Sequence, residues 1–300
     1  MFHRLTIALA LIGAVALVGC DDPEDSGADE DGEQVELTFA FQPQENPEGM
    51  RLDTENFAEF MTDQTGYDVE IFLPTHYSAV VEALRAGNAD VAYFSGLPYM
   101  MAHEEAGAEL LVVEEREGEP FYQSQWYTLE KHDVEELADL EDRPVAFTSP
   151  TSTSGYLFPL AEAMEQGLVK KGGSAEEFFG DVVFSGGYQQ ALMALVNGQV
   201  EAAAASDYAL QQYLSEEQRD SIRVITEQGP VPTHGLAIRG ELDDEIKQNV
   251  RDALLKLNDE EHAELLESIY GAERLVEQDH DEHVQALDRA WELVDFDGEI

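Results

Sequence analysis

Lysine is scarce in this 300-residue chain: only Lys131, Lys170, Lys171, Lys247 and Lys256. Sixteen basic residues stand against 64 acidic ones, for a net charge of −48. That surface repels nucleic acid and anionic lipid, so neither is an expected partner. Cysteine is limited to Cys20, which excludes an internal disulfide. The longest apolar run, Leu5 to Val18, is too short to span a bilayer as a helix. Outside an N-terminal stretch the acids are spread rather than clustered, which argues against a dedicated cation patch. Evenly spread acid with so little lysine fits a halophile, because concentrated salt screens self-repulsion.

What is present begins with a signal. Arg4, the apolar run and the close Leu17-Val18-Gly19-Cys20 predict a signal peptide over residues 1–19. Its ending resembles a bacterial lipobox, which implies cleavage before Cys20 and lipid on its sulfur. The plainer alternative is an ordinary secretory signal with a chance cysteine. Asp21 to Gln34 carries eight acids and almost nothing apolar, so residues 20–34 read as a lipidated cysteine and an acidic disordered tether.

Over the whole chain 43% of the residues are hydrophobic, enough for real cores. Short apolar strands alternate with helical segments: strands at 35–41, 69–73, 90–94 and 109–114, with helices at 54–65, 77–86 and 99–106 between them. A second such half follows, with strands at 121–129, 145–147, 182–185, 201–205 and 222–225. Residues 229–235 read as a rigid loop, and 236–238 as a return to a sheet. Helices are expected at 134–140, 189–197, 210–214, 243–257, 259–269 and 283–294, and Pro159 is expected to kink the one after 145–147. This order predicts an α/β fold with largely parallel sheets.

Pro150–Pro159 is the most informative stretch. Thr151, Ser152, Thr153 and Ser154 are consecutive hydroxyl residues between a strand and a helix. One of them caps the helix; the others are spare donors at a turn whose free N–H groups favour anions. A capped loop with spare serines is the plain alternative. In open α/β sheets ligands sit at the carboxyl ends of strands, where this sequence places Tyr93, the tetrad, Tyr188, Asp207 and Tyr208. Most are hydroxyl donors and few are charged.

These residues carry a resemblance. The segments Thr75-His76-Tyr77-Ser78, Asp90-Val91-Ala92-Tyr93-Phe94, Ser152-Thr153-Ser154-Gly155-Tyr156-Leu157-Phe158-Pro159, Asn197-Gly198-Gln199-Val200-Glu201-Ala202 and Val231-Pro232 appear in this order. Together they resemble the phosphate/phosphite/phosphonate-binding proteins of ABC importers, over roughly residues 37–257. The resemblance implies a type II periplasmic-binding fold: two α/β lobes joined by a two-crossover hinge. Lobe 1 would hold residues 35–127 plus 229–300, and lobe 2 residues 128–228.

It further implies that Ser152, Thr153 and Ser154 hold phosphorus oxygens, helped by Tyr77 and Tyr122. Two positions depart from the family. Tyr188 stands where a histidine is usual, and His234 where an aspartate is usual. A donor is weakened on one wall and a donor gained on another, so the site is expected to take a deprotonated oxyanion without a cationic tail. The chain then reads as a monomeric solute receptor, lipid-anchored outside the cytoplasmic membrane, that delivers its ligand to an ABC permease. It needs no metal or cofactor and is not an enzyme. A ligand-sensing partner of a membrane signalling protein is an open alternative, because fold and anchor would be the same. A hydrolase using Ser154, His234 and Asp207 is a weaker one, since the serine lacks a Gly-x-Ser-x-Gly elbow. His280-Asp281-Glu282-His283 and His103-Glu104-Glu105 read as solvated helix segments rather than metal sites.

Overall fold

The computed structural model describes residues 34–43 and 47–295. The expected signal peptide, Cys20 and most of the acidic tether lie outside the described residues.

Two sheets organise the chain. The first contains β1 (Glu36–Phe41), β2 (Asp68–Phe72), β3 (Val91–Phe94) and β4 (Glu109–Glu115). The second contains β5 (Phe121–Leu129), β6 (Val145–Phe147), β7 (Val182–Phe184), β8 (Ala202–Ser206) and β9 (Ile222–Pro232). The chain then returns to the first sheet with β10 (Gly235–Ile238) and β11 (Arg274–Val276). The strand orders are β11-β4-β10-β3-β1-β2 and β7-β6-β8-β5-β9. Each sheet has the same heart: three parallel strands, with an antiparallel strand next to them.

Apolar periodicity explains most of these elements. Phe39 and Phe41 point to the same face of β1, and each meets Phe57 of helix Pro47–Thr65 edge to face at 5.4 Å. Helix Ser78–Arg85 buries Val80, Val81 and Leu84 against the opposite face of that sheet. β8 is the exception to strand propensity, since alanine is a weak strand former. Ala202 to Ala205 are nonetheless all buried, alternating between two apolar cores, so burial on both faces overrides propensity.

The chain crosses between the sheets twice, after β4 and after β9. Thr233 joins the crossings: its hydroxyl donates to the carbonyls of Glu114 at 2.7 Å and Pro120 at 3.0 Å. The rigid loop expected at 229–235 is instead mostly strand, with Val231 and Pro232 paired to Tyr122 and Phe121. β9 is a sheet edge, where a proline removes no needed donor. The expected lobe boundary after Tyr127 falls inside β5, all of which belongs to the second sheet.

At Pro159, where a kink is expected, the helix changes type. A π turn at Thr153–Leu157 precedes helix Phe158–Glu165, placing Pro159 in the first helical turn. Proline cannot donate to the carbonyl four residues back. That carbonyl, on Gly155, accepts from the Thr148 N–H at 3.1 Å. Helix Asp288–Val294 packs on Phe158–Glu165: Trp291, Leu293 and Val294 share an apolar cluster with Phe158 and Ala161. The same cluster includes Val80, Val81, Leu97 and Tyr122, so one core runs between the two sheets.

Candidate functional site

The carboxyl ends of the parallel strands converge between the sheets. Gln42 follows β1, Ser95 follows β3, Thr148 follows β6, and Ser206 closes β8. The hydroxyl turn comes next after Thr148, and its members have separate duties. Ser152 Oγ accepts from the Gly155 N–H at 3.1 Å, an ordinary cap. Thr153 Oγ1 accepts from the Leu97 N–H at 2.8 Å and so links the turn to a helix of the first sheet. Ser154 Oγ accepts from the Tyr122 hydroxyl at 3.0 Å and lies 2.7 Å from the Tyr188 hydroxyl. All three are fully buried. The plain capping reading therefore holds for Ser152 and fails for the other two.

An aromatic wall surrounds Ser154. His234 stacks between Tyr93 and Tyr122, with ring centroids 5.4 and 6.0 Å away. Tyr208 packs against Tyr122 at 5.4 Å, and its hydroxyl lies 3.4 Å from His234 Nδ1. Burial, the nearby Arg116 and His283 push His234 well below the usual histidine range, so it is neutral. If the Tyr208 hydroxyl donates to Nδ1, the proton sits on Nε2, which is buried and has no partner. Burial likewise raises the phenols of Tyr77, Tyr93, Tyr122, Tyr188 and Tyr208, so each is a neutral hydroxyl.

The charged residues nearby are already engaged. Asp207 accepts from the backbone N–H groups of Gln123 at 3.0 Å and Tyr208 at 2.9 Å. Glu114 is fully buried, accepts from the Tyr93 hydroxyl, and holds Arg116 through contacts of 2.8 and 2.9 Å. The Arg116 guanidinium also sits 4.0 Å above the Tyr208 ring. Ser154, His234 and Asp207 form no hydrolytic chain: their bonds run to tyrosines and backbone amides instead.

Several buried polar atoms have no protein partner: Gln42 Nε2, Tyr77 Oη, Thr148 Oγ1, Ser206 Oγ and His234 Nε2. Gln42, Ser95, Thr148, Glu114 and Arg116 were not singled out from the sequence. The position of Gln42 and Thr148 just past strand ends was the available signal.

His283 departs from expectation. It is buried rather than solvated, with Nδ1 3.1 Å from Gln278 Oε1. His280 stacks on His103 at 4.0 Å and bonds the Tyr99 hydroxyl at 2.6 Å. These rings pack the C-terminal segment onto helix Gly96–Ala106. Among the described residues no group of three or more His, Cys, Asp or Glu is placed to hold a metal.

Residues 39–283 match the family model of ABC-transporter phosphonate periplasmic substrate-binding proteins. The chain belongs to this family. It is 33% identical over 215 residues to the phosphate-import protein PhnD of Mycolicibacterium smegmatis, a match covering 68% of this chain and 65% of that protein. It is 23% identical over 234 residues to the phosphonates-binding periplasmic protein of Escherichia coli, covering 76% and 68%.

Two solved structures show the fold. The binding component of a Pseudomonas aeruginosa phosphonate transporter superposes with a TM-score of 0.76 at 22% identity, covering 84% of each chain. A Prochlorococcus marinus PhnD1 in complex with methylphosphonate gives 0.74 at 16% identity, covering 85% and 97%. The fold of this chain is the type II periplasmic-binding architecture, α/β with two sheets. Among the described residues no helix is long and apolar enough to cross a membrane.

Proposed function

We propose that this protein is the solute receptor of an ABC importer and captures a small phosphorus oxyanion between its sheets. Phosphate, phosphite and simple phosphonates are the candidate class. The carrying observation is the set of buried, unpartnered polar atoms at the strand ends, next to the Ser152–Ser154 turn. Gln42 Nε2 can only donate, while the hydroxyls and a neutral imidazole N–H can. Buried donors without acceptors are costly, and an oxyanion supplies several acceptors at once.

Neutral donors suit an anion inside a protein of charge −48. Hydrogen bonds to a charged group are about twice as strong as neutral ones and act at contact distance. The global field is screened beyond about 3 Å in 1 M salt. Both Asp207 oxygens already accept from backbone N–H groups, which leaves that carboxylate poorly placed to receive an ammonium. On this reading an aminoalkylphosphonate binds worse than its methyl counterpart. Ser152, Thr153, Ser154, Tyr77, Tyr122, Tyr188 and His234 are the ligand-facing residues, and closure of the lobes presents the loaded form to a permease. Lipid on Cys20 would hold the receptor at the outer face of the cytoplasmic membrane, which mass spectrometry of the mature protein tests.

Thermal unfolding in molar salt tests the ligand class, using phosphate, phosphite, methylphosphonate, 2-aminoethylphosphonate and sulfate. A ligand at a hundred times its Kd adds about 2.7 kcal/mol to native stability. A raised midpoint with the phosphorus oxyanions, and none with 2-aminoethylphosphonate, is the expected result. No shift with any phosphorus compound rejects the function. A shift with the amino compound alone keeps the importer and rejects the tail-free ligand.

A further inference from the structure

Gln42 is fully buried just beyond the end of β1. Its side-chain oxygen accepts from the Ser95 N–H at 3.1 Å and the Ser95 hydroxyl at 3.3 Å. A backbone N–H can only donate, so the oxygen must face Ser95 and the amide orientation is fixed. The NH2 end is therefore turned the other way, and it has no partner. It lies beside the Tyr77 hydroxyl, as does the Thr148 hydroxyl, close enough for each to interact with the phenol, yet none of the three atoms makes a hydrogen bond of good geometry. The three atoms come from the end of β1, the turn before helix Ser78–Arg85 and the end of β6, so both sheets contribute.

Thr148 is held as firmly as Gln42. Its N–H donates to Gly155 at 3.1 Å, and its carbonyl accepts from Gly186 at 2.7 Å. Its side chain fills the space a Cβ on Gly155 would occupy: such an atom would lie 2.0 Å from Thr148 Oγ1. The hydroxyl oxygens of Tyr77 and Thr148 can accept from each other or from the Gln42 NH2, but the three groups carry four donor hydrogens against two acceptor oxygens. Donors are left over, so the cluster calls for an outside acceptor.

We propose that Gln42 and Thr148 contact the ligand from opposite sheets, and that Gln42 makes the site select a deprotonated phosphoryl oxygen. This rests on the oxyanion reading above. An NH2 group donates to P–O⁻ and cannot accept from P–OH, so the monoprotonated face of the ligand is rejected at this point. Affinity for inorganic phosphate and methylphosphonate then rises with pH as the second ligand proton leaves and one more P–O⁻ becomes available.

The test is calorimetric titration of phosphate and methylphosphonate at pH 5.5 and 8.5, in molar salt. Wild type is compared with Gln42→Glu, Gln42→Met, Thr148→Val and Thr148→Ser. Gln42→Glu keeps the acceptor for Ser95 and replaces the donor with an acceptor, so the expected result is binding about ten- to a hundredfold weaker at pH 8.5. The loss shrinks or disappears at pH 5.5, where the new oxygen accepts from P–OH. Gln42→Met and Thr148→Val weaken binding by about tenfold or more at both pH values, and Thr148→Ser stays near wild type. A folded Gln42→Glu protein with the wild-type affinity and pH profile overturns the inference. Wild type that binds neither anion rejects the underlying oxyanion reading instead. If the Gln42 variants do not fold, a crystal structure with phosphate decides: Nε2 within hydrogen-bond distance of a phosphate oxygen supports the inference, and a water taking that donor overturns it.

Discussion

The Tyr188 hydroxyl lies 2.7 Å from Ser154 Oγ, so the first residue of helix Tyr188–Val196 closes directly onto the hydroxyl turn. Both side chains are fully buried. Tyrosine here supplies one neutral hydrogen bond where a histidine could supply a charge. Tyr188→Phe leaves Ser154 with Tyr122 as its remaining side-chain partner. Phosphate affinity should fall by about three- to tenfold, the value of one ordinary hydrogen bond, with the fold intact. Isothermal titration checks this, and an unchanged Kd removes Tyr188 from the site.

Gly155 is required by contact rather than by backbone angle. A Cβ there would lie 2.0 Å from Thr148 Oγ1 and 2.7 Å from Thr148 Cγ2. Gly155→Ala should cost about 1–3 kcal/mol, the usual range for overpacking. Adding Thr148→Ala removes the two nearest clashing atoms and leaves Ser152 Oγ at 2.8 Å, so the double variant should regain part of that stability. It should not regain phosphate binding. Urea denaturation of the single and double variants, followed by titration, separates the two effects. A double variant as unstable as the single one places the strain elsewhere.

Periodicity made the strand–helix order legible, because each half repeats apolar strands and amphipathic helices. The hydroxyl tetrad and the tyrosines at strand ends were legible for the same reason: topology puts strand ends together. What was not legible depended on partners distant in sequence. β11 has three residues and little pattern of its own; it pairs with β4, about 160 positions earlier. The strand character of Val231 and Pro232 comes from β5, and a Pro-rich segment does not announce it. Gln42 reads as a polar residue after a strand until Ser95 fixes which end of its amide is free. His283 reads as solvated among acids, because its cover comes from Gln278 and Tyr99.

Arg116 and Glu114 form a buried pair beside the crossing that follows β4. Glu114 is fully buried, and Arg116 also donates to the Gly271 carbonyl at 2.5 Å. Removing one member of a buried pair leaves the other uncompensated, at a cost of about 3–5 kcal/mol. Arg116→Ala should destabilise by that order. Glu114→Gln placed on the same background removes the stranded charge and should restore part of the loss. Guanidinium unfolding of the two variants measures both steps, and a single variant within about 1 kcal/mol of wild type shows the pair is solvated in practice.

His283 should contribute to the acid limit of the fold, on the same side as the buried His234. Burial, and then the neighbouring His280, lower its pKa to about 4. An unfolded histidine titrates near 6.5, so between those values the unfolded chain takes a proton that the folded chain refuses. Stability is fully present above about pH 6.5 and is lost as pH falls toward 4, by at most about 3 kcal/mol from this group. Around the ring stand Gln278, which bonds Nδ1, and the Tyr99 ring 5.8 Å away, with His280, Asp279 and Asp281 in the same segment. His103 stacks on His280 from the helix beneath. His283→Gln keeps a neutral hydrogen-bonding group and removes the titration. Unfolding free energies from pH 7 to pH 4.5, in molar salt to mute the surface acids, should fall more steeply for wild type than for the variant. Parallel profiles mean that His283 is protonated in the folded protein without penalty, and that the acid limit lies with the carboxylates instead.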